Sequence, residues 1–238
     1  RYHAGQSFRH MSGLRISAIA LGPQDFIELN PVMTSTSEVY GTPQTTPITE
    51  DHRLFAQSPY AATKVAADQL TQSFALSFGL RALNLRPFNT YGPRQSLRAV
   101  IPTVLAQMLA GAETIRLGSL HPQRDFPYVS DTVDGYVKAA TTSWDPGDTI
   151  HLGTGRTVSV GDLVEVCAEV TGTSPRVVVD EERVRPSGSE VQVLLSDPSR
   201  ADQRLGWTPQ VDLREGLART AEWIRSHGMP RHADRYHR

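Results

Sequence analysis

The 238-residue chain has a single cysteine, Cys167, so neither a disulfide nor a zinc site built on several cysteines can form within it. Lysine is almost as scarce, because only Lys64 and Lys138 occur and the other 22 of the 24 basic residues are arginine. No apolar run approaches the roughly 18 residues of a membrane span. The longest candidate covers residues 16–22, and the chain starts without a signal-peptide core. We therefore expect a protein of the reducing cytoplasm.

Charge and histidine patterns are equally plain. The net charge is −1, and 39% hydrophobic with 21% charged residues is an ordinary globular composition. A chain without a basic excess is a poor candidate for binding nucleic acid. The eight histidines show no metal-ligand spacing. We expect no nucleic-acid partner, no membrane association and no bound metal.

Apolar periodicity and turn residues predict alternating helices and strands. The clearest helix covers 60–78, with Ser58 as its N-cap, Pro59 in its first turn and Gly79 at its end. Other helices are predicted at 100–109, 131–141, 159–170 and 211–226, and strands at 31–33, 81–86, 114–117, 125–129, 148–152 and 176–179. This order predicts an α/β fold with a parallel sheet.

Two short patterns carry candidate chemistry. Tyr60 and Lys64 lie four residues apart on the predicted helix and therefore share a face. An ammonium next to a phenol stabilises the phenolate and makes tyrosine a plausible general base, although a surface tyrosine and a solvated lysine would give the same spacing. Upstream, Thr36, Ser37 and Glu38 follow a predicted strand, at the sheet edge where open α/β sheets bind ligands.

Four motifs in order resemble one family. They are Thr36–Gly41 (TSEVYG), Ser58–Lys64 (SPYAATK), Arg86–Arg94 (RPFNTYGPR) and Arg124–Asp131 (RDFPYVSD). Together they resemble the extended short-chain dehydrogenase/reductases that act on nucleotide sugars as epimerases, dehydratases and decarboxylases. The resemblance covers about four fifths of the chain, from about residue 31 to 226.

The resemblance implies a role for each motif residue. Tyr60 takes the proton from the 4-hydroxyl of the sugar, Thr36 holds that hydroxyl, and Lys64 stabilises the phenolate and binds the nicotinamide ribose. Pro87 lies against the cofactor together with Tyr60 and Lys64. The cofactor is NAD, which accepts hydride from C4 and leaves a 4-keto sugar.

Glu38 bears on which reaction follows. In the resembling dehydratases, a carboxylate at this place removes the C5 proton of the 4-keto sugar and drives loss of the 6-hydroxyl. The 4-epimerases usually lack it, so a 4,6-dehydratase is expected. Ser37 stands where dTDP-glucose dehydratases have an acid, and it is expected to relay a proton through water. The Thr-Ser-Glu sequence also resembles UDP-glucuronate decarboxylases, so decarboxylation and 4-epimerisation remain alternatives.

Three further residues are expected to bind a nucleotide-diphosphate sugar. Asn89 matches a loop that contacts the sugar nucleotide, and Arg124 matches an arginine that pairs with the diphosphate. Arg185 opens the stretch Arg185–Val191, which resembles 4,6-dehydratases acting on N-acetylhexosamine nucleotides. The resemblance also implies a homodimer built through the helix that carries Tyr60.

One family feature is missing from the sequence. The strand, Gly-x-x-Gly-x-x-Gly turn and helix that hold the NAD pyrophosphate do not occur, and the chain does not begin with Met. We expect a fragment or a misplaced reading frame, poor NAD binding and, as a third hypothesis, a non-catalytic truncated relative.

Residues 1–93 would be the remnant of an NAD-binding Rossmann domain, irregular up to residue 30 except for a possible strand at 15–21. Residues 94–230 would be mainly the substrate-binding part with crossovers to the Rossmann sheet, and residues 231–238 a disordered tail. The expected fold class is α/β, a partial Rossmann-type doubly wound parallel sheet plus a smaller C-terminal α/β part.

Overall fold

The computed structural model describes residues 30–186 and 188–228. The possible strand at 15–21, the irregular segment before it and the tail at 231–238 lie outside the described residues. Within them, the strands are β1 Val32–Thr34, β2 Leu83–Pro87, β3 Thr114–Leu117, β4 Gln123–Arg124, β5 Thr149–Leu152, β6 Val158–Ser159, β7 Arg176–Val179 and β8 Val193–Leu194. The α-helices are α1 Pro59–Phe78, α2 Val100–Leu109, α3 Val129–Thr141, α4 Val160–Thr171, α5 Ser199–Leu205 and α6 Leu213–His227. Short 3₁₀ helices cover Ser37–Tyr40 and Glu181–Arg183.

The sheet that carries the first motif is parallel, in the order β1-β2-β5. Val32 pairs with Leu83, and Leu85 pairs with Ile150. Residues 83–86 of β2 are all buried, as expected for a central parallel strand with both faces covered. The α/β class with a parallel, Rossmann-like sheet is confirmed.

Two smaller sheets lie elsewhere in the described residues. Strands β3 and β7 form a parallel pair, and β4 lies between antiparallel β6 and parallel β8. The division of the chain at Pro93 stays a prediction. Strand β5 comes from beyond that point and pairs with β2 in the first sheet.

The predicted signals at the ends of α1 are confirmed. Ser58 Oγ accepts the backbone N–H of Ala61 at 3.1 Å, Pro59 is the first helical residue, and Gly79 ends the helix with a left-handed φ of 67°. The residues that α1 buries are small or polar, namely Ala61, Asp68, Thr71 and Ala75. This helix is therefore docked without a bulky apolar ridge.

Larger apolar side chains form the cores. One cluster gathers residues of α2, α4 and α6, including Leu105, Leu163 and Leu217, and the predicted core residue Cys167 is fully buried in it. A second cluster packs Trp144 and Trp207 against β2 and β5. None of the helices in residues 30–186 and 188–228 is long and apolar enough to cross a bilayer.

The predicted strand at 125–129 is wrong. The strand there is β4, which ends at Arg124, and the following segment makes only the isolated bridge between Tyr91 and Tyr128. Pro127 has no N–H to give to a ladder. Helix α3 begins at Val129, and Asp131 in its first turn is buried, where its carboxylate accepts the amides of residues 210 and 211 at 3.0 Å. Helix α5 carries no clear signal in the sequence and was missed.

Candidate active site

The carboxyl ends of β1 and β2 open into a cleft with a volume of about 560 Å³. This volume lies in the range of small-molecule sites, and the edge is where parallel sheets bind ligands. Its walls come from the turn after β1, the start of α1, the loop after β2 and the segment around Arg124.

The turn after β1 presents a hydroxyl and a carboxylate. Thr36 caps the 3₁₀ helix, and its Oγ1 accepts the backbone N–H of Glu38 at 3.3 Å. Gly41 ends that helix with a φ of 57°, and any Cβ there would collide with the carbonyl oxygen of Phe55. Thr36 and Glu38 both line the cleft, whereas Ser37 is buried and does not line it.

Helix α1 brings Tyr60 and Lys64 to the same edge. Tyr60 lines the cleft with 54% of its surface exposed. The Lys64 ammonium lies 6.0 Å from the centre of the Tyr60 ring and donates a hydrogen bond to the Thr34 carbonyl at 2.9 Å. The Tyr136 hydroxyl bonds to the Thr34 side chain, and burial raises the pKa of Tyr136, so this phenol stays protonated beside Tyr60.

Arginine side chains also line the cleft, and one of them is paired with an acid. The Arg124 guanidinium pairs with Glu190 at 2.8 Å and donates to the carbonyl of Gln123 at 2.9 Å. Burial lowers the pKa of Arg124 although Glu190 and Glu38 act against that shift. Arg185 lines the same cleft and is exposed. The predicted stretch Arg185–Val191 includes residue 187, which lies outside the described residues.

Three buried side-chain oxygens in this cleft have no hydrogen-bond partner among the described residues. They are Ser35 Oγ, Asn89 Oδ1 and Gln95 Oε1. The Gln95 amide is oriented by its own nitrogen, which donates to the carbonyl of Thr90 at 2.8 Å. Buried polar atoms normally find partners, so these three oxygens mark where a ligand would donate hydrogen bonds.

The cleft therefore brings together most of the predicted site residues. Those that line it are Thr36, Glu38, Tyr60, Pro87, Asn89, Arg124 and Arg185, and Lys64 stands beside them. Ser35, Gln95 and Tyr136 were not predicted as residues of this site. Ser35 and Gln95 each lie one residue outside one of the four motifs, which is the signal that could have found them. In the described part of the chain, no group of His, Cys, Asp or Glu could hold a metal ion.

A family model described as GDP-mannose 4,6 dehydratase matches residues 27–220. The chain belongs to the nucleotide-sugar epimerase/dehydratase family of extended short-chain dehydrogenase/reductases. Family members similar to it include both kinds of enzyme. It is 34% identical over 197 residues to the UDP-glucose 4-epimerase of Mycolicibacterium smegmatis, covering 81% of this chain and 61% of that protein. It is 33% identical over 196 residues to the dTDP-glucose 4,6-dehydratase of Streptomyces griseus, covering 82% and 58%.

Solved structures of epimerase/dehydratase family members share the fold. MoeE5 in complex with UDP-glucuronic acid and NAD aligns with a TM-score of 0.75 at 33% identity, covering 82% of this chain and 64% of that one. The NAD-dependent NDP-hexosamine 5,6-dehydratase TunA, involved in tunicamycin biosynthesis, aligns with a TM-score of 0.75 at 28% identity, covering 83% and 64%. The chain thus spans 58% and 61% of the length of the two curated family members described above.

Proposed function

We propose that the protein to which this chain corresponds is an NAD-dependent nucleotide-sugar 4,6-dehydratase. The observation that carries the proposal is the cleft itself. It is lined by a hydroxyl, a carboxylate and a phenol, from Thr36, Glu38 and Tyr60, which we call the first wall, and by the guanidinium groups of Arg124 and Arg185, which we call the second wall. A sugar between the two walls would present its carbons to the first and its diphosphate to the second.

The residues present fit the nicotinamide half of NAD. Ser35 offers an unpaired buried oxygen, Lys64 an ammonium beside Tyr60, and Pro87 an apolar surface at the end of β2. Bound there, NAD would supply the hydride acceptor at C4 of the sugar and return the hydride after elimination. The 238 residues do not contain the Gly-x-x-Gly-x-x-Gly turn that would bind the pyrophosphate half of NAD.

In this proposal each residue of the first wall moves or holds a proton. Thr36 positions the 4-hydroxyl and Tyr60 takes its proton, while the Lys64 ammonium stabilises the phenolate. Glu38 takes the proton from C5, which the neighbouring 4-ketone makes acidic, and the C6 hydroxyl leaves as water with a proton that Ser37 relays from solvent water. Glu38 returns its proton to C5 when C6 is reduced. Ser37 is buried behind this wall, so its role is restricted to relaying a proton rather than touching the leaving hydroxyl.

In this proposal the second wall binds the diphosphate, and we also call it the diphosphate wall. A guanidinium offers paired donors to phosphate oxygens, and Arg124 is held at the cleft wall by Glu190 and by the carbonyl of Gln123. Arg185 adds a second cation on an exposed segment. Asn89, with its unpaired carbonyl oxygen, would accept a hydrogen bond from a hydroxyl or amide of the sugar nucleotide.

Epimerisation at C4 is the second candidate, because a relative at 34% identity is a UDP-glucose 4-epimerase. Decarboxylation of UDP-glucuronate is the third, since MoeE5 was solved with that sugar nucleotide. Dehydration ranks first because the carboxylate of Glu38 lines the cleft on the same wall as Tyr60, where it can serve the C5 proton.

One side of α1 supports a homodimer. Leu70, Phe74 and Phe78 follow one another at intervals of four residues and therefore share a side of the helix, where Leu70 and Phe78 expose 51% and 77% of their surfaces and the Phe74 and Phe78 rings are 5.4 Å apart. Apolar side chains gathered on one exposed face commonly mark an interface between protein chains. Sedimentation equilibrium tests this, and Leu70→Glu with Phe78→Glu should shift the mass to that of a monomer.

The deciding experiment measures product mass. The 238-residue chain, and the product of the complete reading frame that contains it, are incubated with NAD and UDP-, dTDP- and GDP-sugars. A loss of 18 mass units, about one water, supports dehydration, whereas loss of carbon dioxide or an unchanged mass with altered stereochemistry supports decarboxylation or epimerisation. No conversion of any sugar nucleotide by either protein would reject all three.

A further inference from the structure

The described residues contain a chain of polar groups, buried except for a partly exposed arginine at one end, that the proposed chemistry does not use. It links helix α1 to α5 through β2, the 3₁₀ helix after β1, β5 and the loop before α1. In order, its members are Asp68, Arg86, Tyr40, His151, Glu50 and Arg200. We call this chain the buried polar network.

One end of the network fastens α1 to β2. Asp68 Oδ2 accepts hydrogen bonds from Arg86 Nε at 2.9 Å and from its terminal nitrogen at 2.8 Å, and both side chains are at least 95% buried. The Asp68 backbone carbonyl also accepts from the Asn84 amide at 3.4 Å. The other buried residues of α1 are alanines and a threonine, so Asp68 is the one charged residue that this helix buries.

The same guanidinium holds the turn after β1. Another terminal nitrogen of Arg86 donates to the Tyr40 hydroxyl at 2.5 Å, and that hydroxyl lies 2.5 Å from His151 Nε2. Because an arginine can only donate, the Tyr40 oxygen accepts from it and its proton goes to His151 Nε2. Burial raises the pKa of Tyr40 and lowers that of His151, so both remain neutral.

The far end balances the charges. The neutral His151 ring carries its proton on Nδ1, which faces Glu50 Oε1 at 3.9 Å, and the His151 backbone N–H donates to the same oxygen at 3.0 Å. Glu50 is in turn 3.5 Å from Arg200. An ion pair at each end of the network, Asp68 with Arg86 and Glu50 with Arg200, therefore flanks the two neutral groups, so that the buried charges are compensated. Arg200 also pairs with the exposed Asp51 at 2.8 Å.

We propose that the Asp68–Arg86–Tyr40 part of this network is a positioning device for the active site. Asp68 lies one turn beyond Lys64 and two turns beyond Tyr60, on one side of α1. Tyr40 is the last residue of the 3₁₀ helix that begins after Thr36. A single guanidinium thus sets the rotation of the helix that carries the base against the turn that carries the hydroxyl and the carboxylate. The catalytic part of this inference rests on the proposed function, but the geometry it predicts does not.

The scarcity of lysine gives a direct test. Lys64 and Lys138 are the only two side-chain amines in the protein, so acetylation with a limiting amount of N-acetoxysuccinimide, followed by peptide mass spectrometry, reports on each. Lys64 is held by the Thr34 carbonyl, whereas Lys138 on α3, which donates to the Gly206 carbonyl at 3.1 Å, makes no contact with the network and serves as the internal reference. In Asp68→Asn, the ratio of Lys64 to Lys138 labelling should rise about threefold to tenfold, since the amine must leave its hydrogen bond before it reacts. Asp68→Glu should keep the ratio close to the wild-type value.

A matched control separates positioning from stability. Asp125→Asn alters another buried carboxylate, which accepts the backbone amides of Thr154 and Gly155 at 2.7 and 3.0 Å, and it should lower the melting temperature without changing the labelling ratio. Tyr40→Phe removes only one hydroxyl and serves as the milder second variant, with the same rise expected at smaller size. If Asp68→Asn and Tyr40→Phe lower the melting temperature while their labelling ratio stays at the wild-type value, the proposal is overturned. Failure of both network variants to fold would also overturn it, since the network would then serve folding alone.

This readout does not depend on turnover. If labelling changes as expected but no sugar nucleotide is converted, the proposed function fails and the positioning inference stands. In a protein that turns over, Asp68→Asn should lower kcat with little change in KM, and Asp68→Glu should restore it, because the network touches the catalytic geometry and not the diphosphate wall.

Discussion

The ammonium of Lys64 donates its hydrogen bond to the backbone carbonyl of Thr34, 2.9 Å away at the carboxyl end of β1. That carbonyl is two residues before Thr36, so the cation is fixed to the strand that leads into the turn with Thr36 and Glu38. In the proposed function, a charge held this way would serve both the Tyr60 phenol and the hydroxyls of a ribose placed over the end of the strand.

The first prediction concerns NAD. We expect the 238-residue chain to bind NAD weakly, because the sequence holds residues suited to the nicotinamide end and no glycine-rich turn for the pyrophosphate. A ligand at 100 times its dissociation constant stabilises a protein by about 2.7 kcal/mol, which shifts the melting temperature by several degrees. A thermal-shift titration with NAD should show much less. A clear shift at micromolar NAD that is lost in Lys64→Met would contradict the expectation and show that the chain holds the cofactor without that turn.

The second prediction separates the roles of the first wall. Tyr60→Phe should lower the turnover of an active protein by about 10²–10⁴-fold, the usual contribution of a general base. Its folding should be almost unchanged, because the side chain is 54% exposed and the substitution is confined to the surface of the cleft.

A companion measurement follows the exchange of the C5 hydrogen of the sugar with deuterium from the solvent. Glu38→Gln should stop the exchange of the C5 proton with solvent while oxidation at C4 continues, and unchanged exchange would remove Glu38 from the elimination step.

The third prediction is a pH dependence of stability from His151. Burial, together with Arg86 and Arg200, holds the pKa of His151 well below its ordinary 6.5 in the folded protein. Below about pH 6.5 the unfolded chain therefore binds a proton that the folded chain does not, and stability falls as the pH is lowered, by up to about 1.4 kcal/mol per pH unit. Glu50 has the opposite effect on stability, because burial raises its pKa. As the pH falls, the folded chain binds a proton at Glu50 before the unfolded chain does, and this favours the folded state.

Urea unfolding between pH 7.5 and 5.5 should isolate this effect. The difference in unfolding free energy between the wild type and His151→Gln cancels the groups common to both proteins. That difference should shrink as the pH falls, because only the wild type carries the unfavourable histidine. A difference that stays constant across this range would show that His151 does not titrate differently in the two states.

Local signals made part of the structure predictable. The bounds of α2, β3 and β7 agree with the sequence prediction, and α1 differs by one residue, since Ser58, Pro59 and Gly79 mark its ends by known capping physics. The motifs also located the cleft, because strand ends in a parallel sheet meet at one edge. The two-residue strands β4, β6 and β8 are too short to show a periodicity.

What the sequence could not show is pairing at long range. The Tyr40–His151 contact joins residues 111 positions apart, and the Arg124–Glu190 pair joins residues 66 apart. Nothing in the residue types distinguishes a paired arginine from a solvated one, so Arg86 and Arg200 were not recognised as members of a network. The burial of Ser37 could not be predicted either, because a 3₁₀ turn points successive side chains in directions that an alternating strand pattern does not predict.

The fourth prediction concerns the diphosphate wall and uses binding alone. Isothermal titration of the chain with UDP, dTDP and GDP should show weaker binding in Arg124→Gln, by about 10- to 100-fold, which corresponds to the loss of one charged hydrogen-bond pair of about 1.5–3 kcal/mol. Arg124→Lys should lie in between, because an ammonium keeps the charge without the paired donors. Arg94→Gln is a suitable control, since Arg94 is an exposed arginine in the loop after β2 that does not line the cleft. Glu190→Gln distinguishes two roles for the partner: it should weaken binding if Glu190 only orients the guanidinium, and tighten it if Glu190 competes with phosphate for the same donors. Equal affinity of all four variants and the wild type would show that Arg124 does not face the diphosphate.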